Sequence, residues 1–170
     1  MSLPVTKHQL SITRSGFTLI ELLIVIAILG VLGAAVMFTF RGARSSARDT
    51  QRKSDIKQYQ TAVEQYANRN NSLYPLRDAA NVRVSTTLCA DLGLAVCPEE
   101  PQSANFYFYR SDGGVSTGAA GAATFYLWVR LEKPPTPVTY FVSCSDGRVG
   151  CTTSNPTGWT NACPAPLTAC

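Results

Sequence analysis

Six cysteines and one histidine set the chemistry open to this 170-residue chain. The histidine, His8, sits in a short polar leader, so a chain that loses its leader has none for a serine or cysteine hydrolase or for a histidine-ligated metal. The cysteines, Cys89, Cys97, Cys144, Cys151, Cys163 and Cys170, lie downstream of a long apolar run. Seven residues separate the first two and six separate both Cys144 from Cys151 and Cys163 from Cys170, with no C-x-x-C spacing. An even number on one side of an apolar segment points to disulfides in an oxidising compartment rather than to zinc. Six cysteines allow many pairings, of which joining sequence neighbours is the simplest.

Oxygen ligands are sparse. Asp112, Glu132 and Asp146 could face a calcium ion, but no D-x-D-x-D-G loop occurs, and no metal site is assigned. No nucleophile–base–acid set or Gly-rich phosphate loop can be assembled, so neither an enzyme nor a cofactor is expected. Lys and Arg number 15 against 11 Asp and Glu. Two of the bases, Lys7 and Arg14, precede the apolar run, and the remaining balance of +2 gives no support for direct nucleic-acid binding.

The third group is Glu21, placed near the start of GFTLIELLIVIAILGVLGAAVMFTF, residues 16–40. From Phe17 to Phe40 the run is about 36 Å of helix at 1.5 Å per residue, enough to span a bilayer with some tilt. A secretory signal would be shorter, with its small-residue cleavage site after the run. Here Gly16 precedes it, and Lys7 and Arg14 hold that flank in the cytoplasm. Cleavage after Gly16 would make a new α-amine at Phe17 and leave the helix attached. A carboxylate at membrane depth costs about 2.5–3.5 kcal/mol on insertion scales. Pairing Glu21 with the Phe17 amine of a neighbouring chain offsets that cost and favours side-by-side packing in one stagger. The competing role is local, since Thr18-Leu19-Ile20-Glu21 matches a capping box.

These residues resemble a known family. Gly16-Phe17-Thr18-Leu19-Ile20-Glu21-Leu22-Leu23 is similar to the class III signal of type IV pilins and pseudopilins. The close match runs from Ser15 to about Leu32 and continues loosely through 48–56 and Asn71-Ser72-Leu73-Tyr74-Pro75. The resemblance implies that a prepilin peptidase cuts between Gly16 and Phe17 and methylates Phe17, and that Glu21 pairs with the terminus of an adjacent subunit. It further implies a precursor in the bacterial inner membrane with its C-terminal domain outside the cytoplasm, lipid contact before assembly, and an assembly platform and ATPase. The product expected first is a homopolymeric or mixed surface pilus used for adhesion and twitching motility. The alternatives are a pseudopilin of a type II secretion or competence system, and a membrane-tethered binding module that never polymerises. One feature departs from many pilins, which carry a proline near the position of Phe38. Gly30, Gly33 and Gly42 are the weak points instead.

The elements that must carry these groups follow from periodicity. Arg41, Arg44, Arg48 and Arg52 recur at steps of three and four along one side of a helix, and are expected as a solvated face or as contacts to neighbouring subunits' acids. Ile56, Tyr59, Val63 and Tyr66 form an apolar stripe, and the helix is expected to end at Asn68, before Pro75. One helix over 17–68 would be about 78 Å long. Residues 105–110, 124–132 and 138–144 have strand character, with Phe125, Leu127, Val129 and Leu131 on one side of their strand and Tyr126, Trp128 and Arg130 on the other. Residues 81–98 are expected to form a loop with short structure, closed by Cys89–Cys97. The Thr-, Pro- and Asn-rich stretch 152–170 is expected on the surface, tied by Cys163 and Cys170, with Trp159 at an edge. The expected fold is α+β and pilin-like. It comprises a leader over 1–16, a long helix over 17–68 with 17–40 as transmembrane or fibre core, and a head over 69–170 built on a small antiparallel sheet with a disulfide-stapled C-terminal region.

Overall fold

The computed structural model describes residues 16–78, 82–102, 105–159, 163 and 166–170, without the side chains of 36–39 and 41. The leader expected over 1–16 therefore lies, apart from Gly16, outside the described residues, as do the side chains of Phe38 and Arg41. The chain divides into two compact units, 1–41 and 42–170.

Helix α1, Leu19–Arg69, supplies the described helical part of the first unit and the opening segment of the second. Its backbone stays helical through Gly30, Gly33 and Gly42. Within the second unit it buries Arg52, Asp55, Ile56, Tyr59, Val63 and Ala67, a set spaced by three and four that forms one face. Asn71 and Ser72 terminate it with φ of 54° and 62°, and the Ser72 amide donates to the Ala67 carbonyl at 2.9 Å. Asparagine tolerates that left-handed conformation better than most residues, which is why the helix stops there.

Among the described residues seven strands follow: β1 (Tyr74–Pro75), β2 (Val82–Arg83), β3 (Phe108–Ser111), β4 (Ala120–Ala122), β5 (Phe125–Arg130), β6 (Tyr140–Cys144) and β7 (Val149–Thr152). β1 pairs with β4, and the other five make one antiparallel sheet in the order β2-β3-β5-β6-β7. The sheet is thus larger than the three or four strands expected. Between β2 and β3, a five-residue π-helical turn over Val84–Leu88 leads into the short helix α2, Cys89–Leu92. This is the short structure expected within the 81–98 loop, and it is helical because Val84, Leu88, Cys89 and Leu92 are buried together on one side. Gly93, at φ 65°, ends α2 in the left-handed region.

The sheet has two apolar faces. Tyr109, Phe125, Leu127, Val129, Phe141 and Cys151 pack with Ile56, Tyr59 and Val63 of α1. Fully burying side chains such as Leu127 and Val129 is worth about 1.5–3 kcal/mol each. The opposite face carries Tyr126, Trp128, Val142 and Cys144, covered by Trp159, Cys163 and Leu167 of the C-terminal stretch. β5 is therefore covered on both sides, with only Arg130 exposed.

The stretch 152–170 lies at the surface as expected, with Trp159 half-buried over an edge of the sheet. The Trp159 ring sits 5.5 Å from that of Tyr126, and the Trp159 carbonyl accepts from the Tyr126 hydroxyl at 2.8 Å and from Arg110 Nη1 at 2.7 Å. Thr168 then pairs with Cys151 across the β7 edge, through backbone bonds of 2.8 and 2.9 Å.

Candidate assembly site

The candidate site begins where α1 starts. Gly16 is exposed, and a side chain placed on it would meet nothing within 4 Å, so the Gly16–Phe17 bond is open to approach. Phe17 is 90% exposed. Thr18 and Glu21 form the capping box: Glu21 Oε2 accepts from the Thr18 amide and from Thr18 Oγ1, each at 2.9 Å. The reciprocal bond, from the Glu21 amide to Thr18 Oγ1, is longer at 3.4 Å. In the single chain, then, Glu21 does what the local reading expects of it. A carboxylate offers about four acceptor sites, so capping does not exhaust its capacity for an amine.

The helix that follows has no polar face over residues 22–32. Leu22, Leu23, Ile26, Leu29, Val31 and Leu32, which point in all directions around the axis, are each at least 57% exposed. An all-round apolar helix requires an apolar surrounding, lipid or other helices. The apolar run with described side chains, 19–35, is 17 residues, about 26 Å against a hydrocarbon core of about 30 Å. Among the described residues no helix is long and apolar enough to cross a membrane.

In the second unit, the predicted arginine stripe has a different fate. Arg52 is fully buried, its Nη1 2.7 Å from Asp49 Oδ1 and 2.6 Å from Glu132 Oε1, and its Nε donates to Glu100 Oε1. Arg48 makes a two-pronged bond to Glu132, at 2.7 and 2.5 Å. Asp49 accepts the backbone amides of Glu132 and Lys133, both at 2.9 Å, and Lys133 Nζ donates to the Gly42 carbonyl at 2.8 Å. The expectation of a solvated or intersubunit face fails for Arg48 and Arg52, because carboxylates of their own chain close on them. Hydrogen bonding from the Arg48 guanidinium, helped by Arg52, holds the Glu132 carboxyl down at about 2, against desolvation that pushes it up. One turn along, burial pushes the Asp55 carboxyl up, partly opposed by the Tyr107 hydroxyl that donates to it at 2.5 Å.

Asp49 and Glu100 were missed from the sequence. The available signal was phase: Arg52 stands four residues before Ile56 on the face that the apolar stripe defines, so it had to be buried and neutralised.

The cysteines pair as Cys89–Cys97, Cys144–Cys163 and Cys151–Cys170. The first is the neighbour pairing; the other two are not. Cys144 shares its sheet face with Val142, whereas Cys151, directly opposite Phe141, shares the helix-side face. Side chains on opposite faces of adjacent strands cannot join, so each reaches a cysteine of the tail instead.

The acids considered for calcium have other partners. Asp112 accepts the amides of Ala123 and Thr124, Glu132 holds Arg48 and Arg52, and Asp146 pairs with Arg148 at 2.7 Å. Cys144, Cys163 and Asp146 cluster closely enough to hold a metal, but the two sulfurs are bonded to each other.

Residues 13–37 match the family model of the prokaryotic N-terminal methylation motif. The chain is similar to type II secretion system core protein G of Pseudomonas aeruginosa, 40% identical over 62 residues, and to that of Aeromonas hydrophila, 39% identical over 62 residues. Each match covers 36% of this chain and 43% of the relative, so the chain spans less than half the length of the curated relatives it matches. No solved structure matches it. The N-terminal part of the chain thus carries a prepilin-type motif, and the α+β arrangement is pilin-like.

Proposed function

We propose that the chain is a structural subunit of a pseudopilus-type filament. It is cut by a prepilin peptidase between Gly16 and Phe17, N-methylated on Phe17, and assembled with copies of itself or related subunits through α1. The observation that carries this is the conjunction of an accessible Gly16–Phe17 bond, an all-round apolar helix after it, and the lone carboxylate Glu21 in its first turn. Before assembly the apolar segment lies in the inner membrane, with the C-terminal unit outside the cytoplasm. Assembly replaces lipid contacts with helix contacts, and the Phe17 amine of one subunit neutralises Glu21 of the next. An assembly platform and an ATPase supply the extraction step; the chain itself is not an enzyme.

The names of the relatives favour a secretion-type filament over the surface pilus that the family resemblance placed first. The distinguishing experiment is mass spectrometry of membrane and sheared surface fractions, combined with assay of secreted proteins after deletion of the chain. The secretion reading expects N-methylated Phe17 in the envelope fraction and loss of secreted proteins on deletion. Abundant sheared fibres with secretion intact would return the reading to a pilus. An intact leader in every fraction would leave a tethered, non-polymerising module.

A further inference from the structure

The outward face of the large sheet carries a groove of about 470 Å³, lined at its centre by Phe108 and Trp128 and at its sides by Arg83 and Arg130. Register places these groups. Arg83 of β2 lies opposite Phe108 of β3, Phe108 opposite Trp128 of β5, and Arg130, two residues beyond Trp128 and so on the same face, opposite Tyr140 of β6. Volumes of about 300–1,000 Å³ are usual for small-ligand sites.

The two arginines differ from their neighbours. Arg48, Arg52, Arg77, Arg110 and Arg148 are each ion-paired with a carboxylate of the same chain. Among the described residues neither Arg83 nor Arg130 has a carboxylate partner, both are exposed, and no acid lines the groove. The Arg83 guanidinium lies 3.7 Å over the Phe106 ring, a stacking that orients the group while leaving its hydrogen-bond donors free. Two guanidinium groups lining one groove that no described acid lines call for an anion, and their planar fork suits a carboxylate.

The floor and rim narrow the class. Phe108 stacks on Trp128 at 5.2 Å with an interplanar angle of 25°, and Phe106 meets Phe108 edge-on at 6.4 Å. Phe106 and Phe108, both half-buried, offer an apolar surface for one face of a ring, with the buried Trp128 stacked against Phe108 as its support. At the rim, Asn155 accepts from the Thr157 amide and hydroxyl through Oδ1, which leaves its amide nitrogen to donate outward. Hydroxyl groups around a ring meet such amides, and a ring carboxylate meets the arginines. A nucleic-acid strand is served less well. It needs a basic track along its backbone, and the net charge from Gly16 onward is only +2.

We infer that this groove is a binding site for an acidic oligosaccharide, its uronate carboxylates held by Arg83 and Arg130 and a sugar face resting on the aromatic floor. The test is calorimetric titration of the full chain in detergent micelles with tetragalacturonate, alongside cellotetraose, a short oligothymidylate and oligoglutamate. Expected are saturable binding of tetragalacturonate that weakens with added salt, and about tenfold weaker binding in Arg83→Gln and in Arg130→Gln. Arg148→Gln, which removes an exposed arginine outside the groove, leaves the affinity unchanged. The inference is overturned if tetragalacturonate gives no heat at millimolar concentration, if all three variants bind it equally, or if cellotetraose, oligothymidylate or oligoglutamate binds as tightly or more so.

Discussion

Arg52 occupies a position where an apolar side chain would be expected from the helix phase, and three carboxylates close around it. Its Nη2 finds no partner among the described residues, so the cluster holds its charge by ion pairs rather than by full hydrogen bonding. Removing one member of a buried pair costs more than the pair itself contributes, because the remaining charges stay desolvated. Arg52→Leu is therefore expected to destabilise the chain by about 3–5 kcal/mol in urea unfolding; a loss below about 1 kcal/mol, the range of an exposed pair, would contradict the burial argument. Glu132 gives the cluster a pH dependence. Its carboxyl is lower in the folded chain, at about 2, than its ordinary 4.5, so its contribution is complete above about pH 4.5 and is lost as the pH falls toward 2. After allowance for solvent screening this is about 2 kcal/mol. Asp55, pushed up by burial, works in the opposite sense, its cost fading as acid protonates it. Glu132→Gln is expected to be less stable than the parent at neutral pH, with the difference closing below pH 4.5 in unfolding titrations; a constant difference would sink the assignment. Asp49 lies three residues before Arg52 on the same helix and was within reach of local reasoning, whereas Glu100 and Glu132 are distant along the chain and nothing local marks them as destined for one arginine.

At the scale of elements, the most readable strand was β5. Its alternation of Phe125, Leu127, Val129 with Tyr126, Trp128, Arg130 gave both faces correctly, since a period of two is a direct consequence of strand geometry. The same alternation suggested a half-buried strand, and that inference failed because the second face is covered by a tail whose composition reads as coil. β7 escaped notice for a related reason: Val149-Gly150-Cys151-Thr152 is short and includes a glycine. That glycine has a positional reason. A Cβ at Gly150 would stand 2.8 Å from the Thr168 carbonyl oxygen and 2.9 Å from Leu167 Cβ, closer than van der Waals contact permits. Gly150→Ala is expected to displace the Thr168 bridge, seen as faster hydrogen exchange of the Cys151 amide with the sheet interior still protected. Unchanged Cys151 protection would argue that the tail does not seat there. Each tail disulfide closes a sequence separation of 19 residues, which stabilises by about 3 kcal/mol through the unfolded chain. Cys144→Ser with Cys163→Ser is accordingly expected to cost about that much in thermal unfolding and to expose the Trp128 face to quenchers. If unfolding and quenching match the parent, the bridge does not hold the tail in place.

For the whole molecule, the division of labour between the two units follows from where apolar surface is satisfied. The second unit buries its own apolar surface between α1, the sheet and the tail, whereas the apolar part of the first is exposed and must be covered by lipid or by like helices. Glu21 has two possible duties at that surface, capping its own helix and meeting another chain's amine, and they separate by mutation. Thr18→Ala removes the cap, worth about 1 kcal/mol, and is expected to leave filament incorporation intact. Glu21→Ala removes both and is expected to be cut and methylated normally but left in the membrane. The most direct measurement is zero-length carbodiimide cross-linking of filaments grown from a mixture of light and heavy nitrogen-labelled chains, read by mass spectrometry. The account predicts a cross-linked peptide joining the N-terminal amine of Phe17 in one isotopic form to the Glu21 carboxylate in the other. Cross-links confined to a single isotopic form, or filaments in which Glu21 forms none while Phe17 is free and methylated, would contradict it.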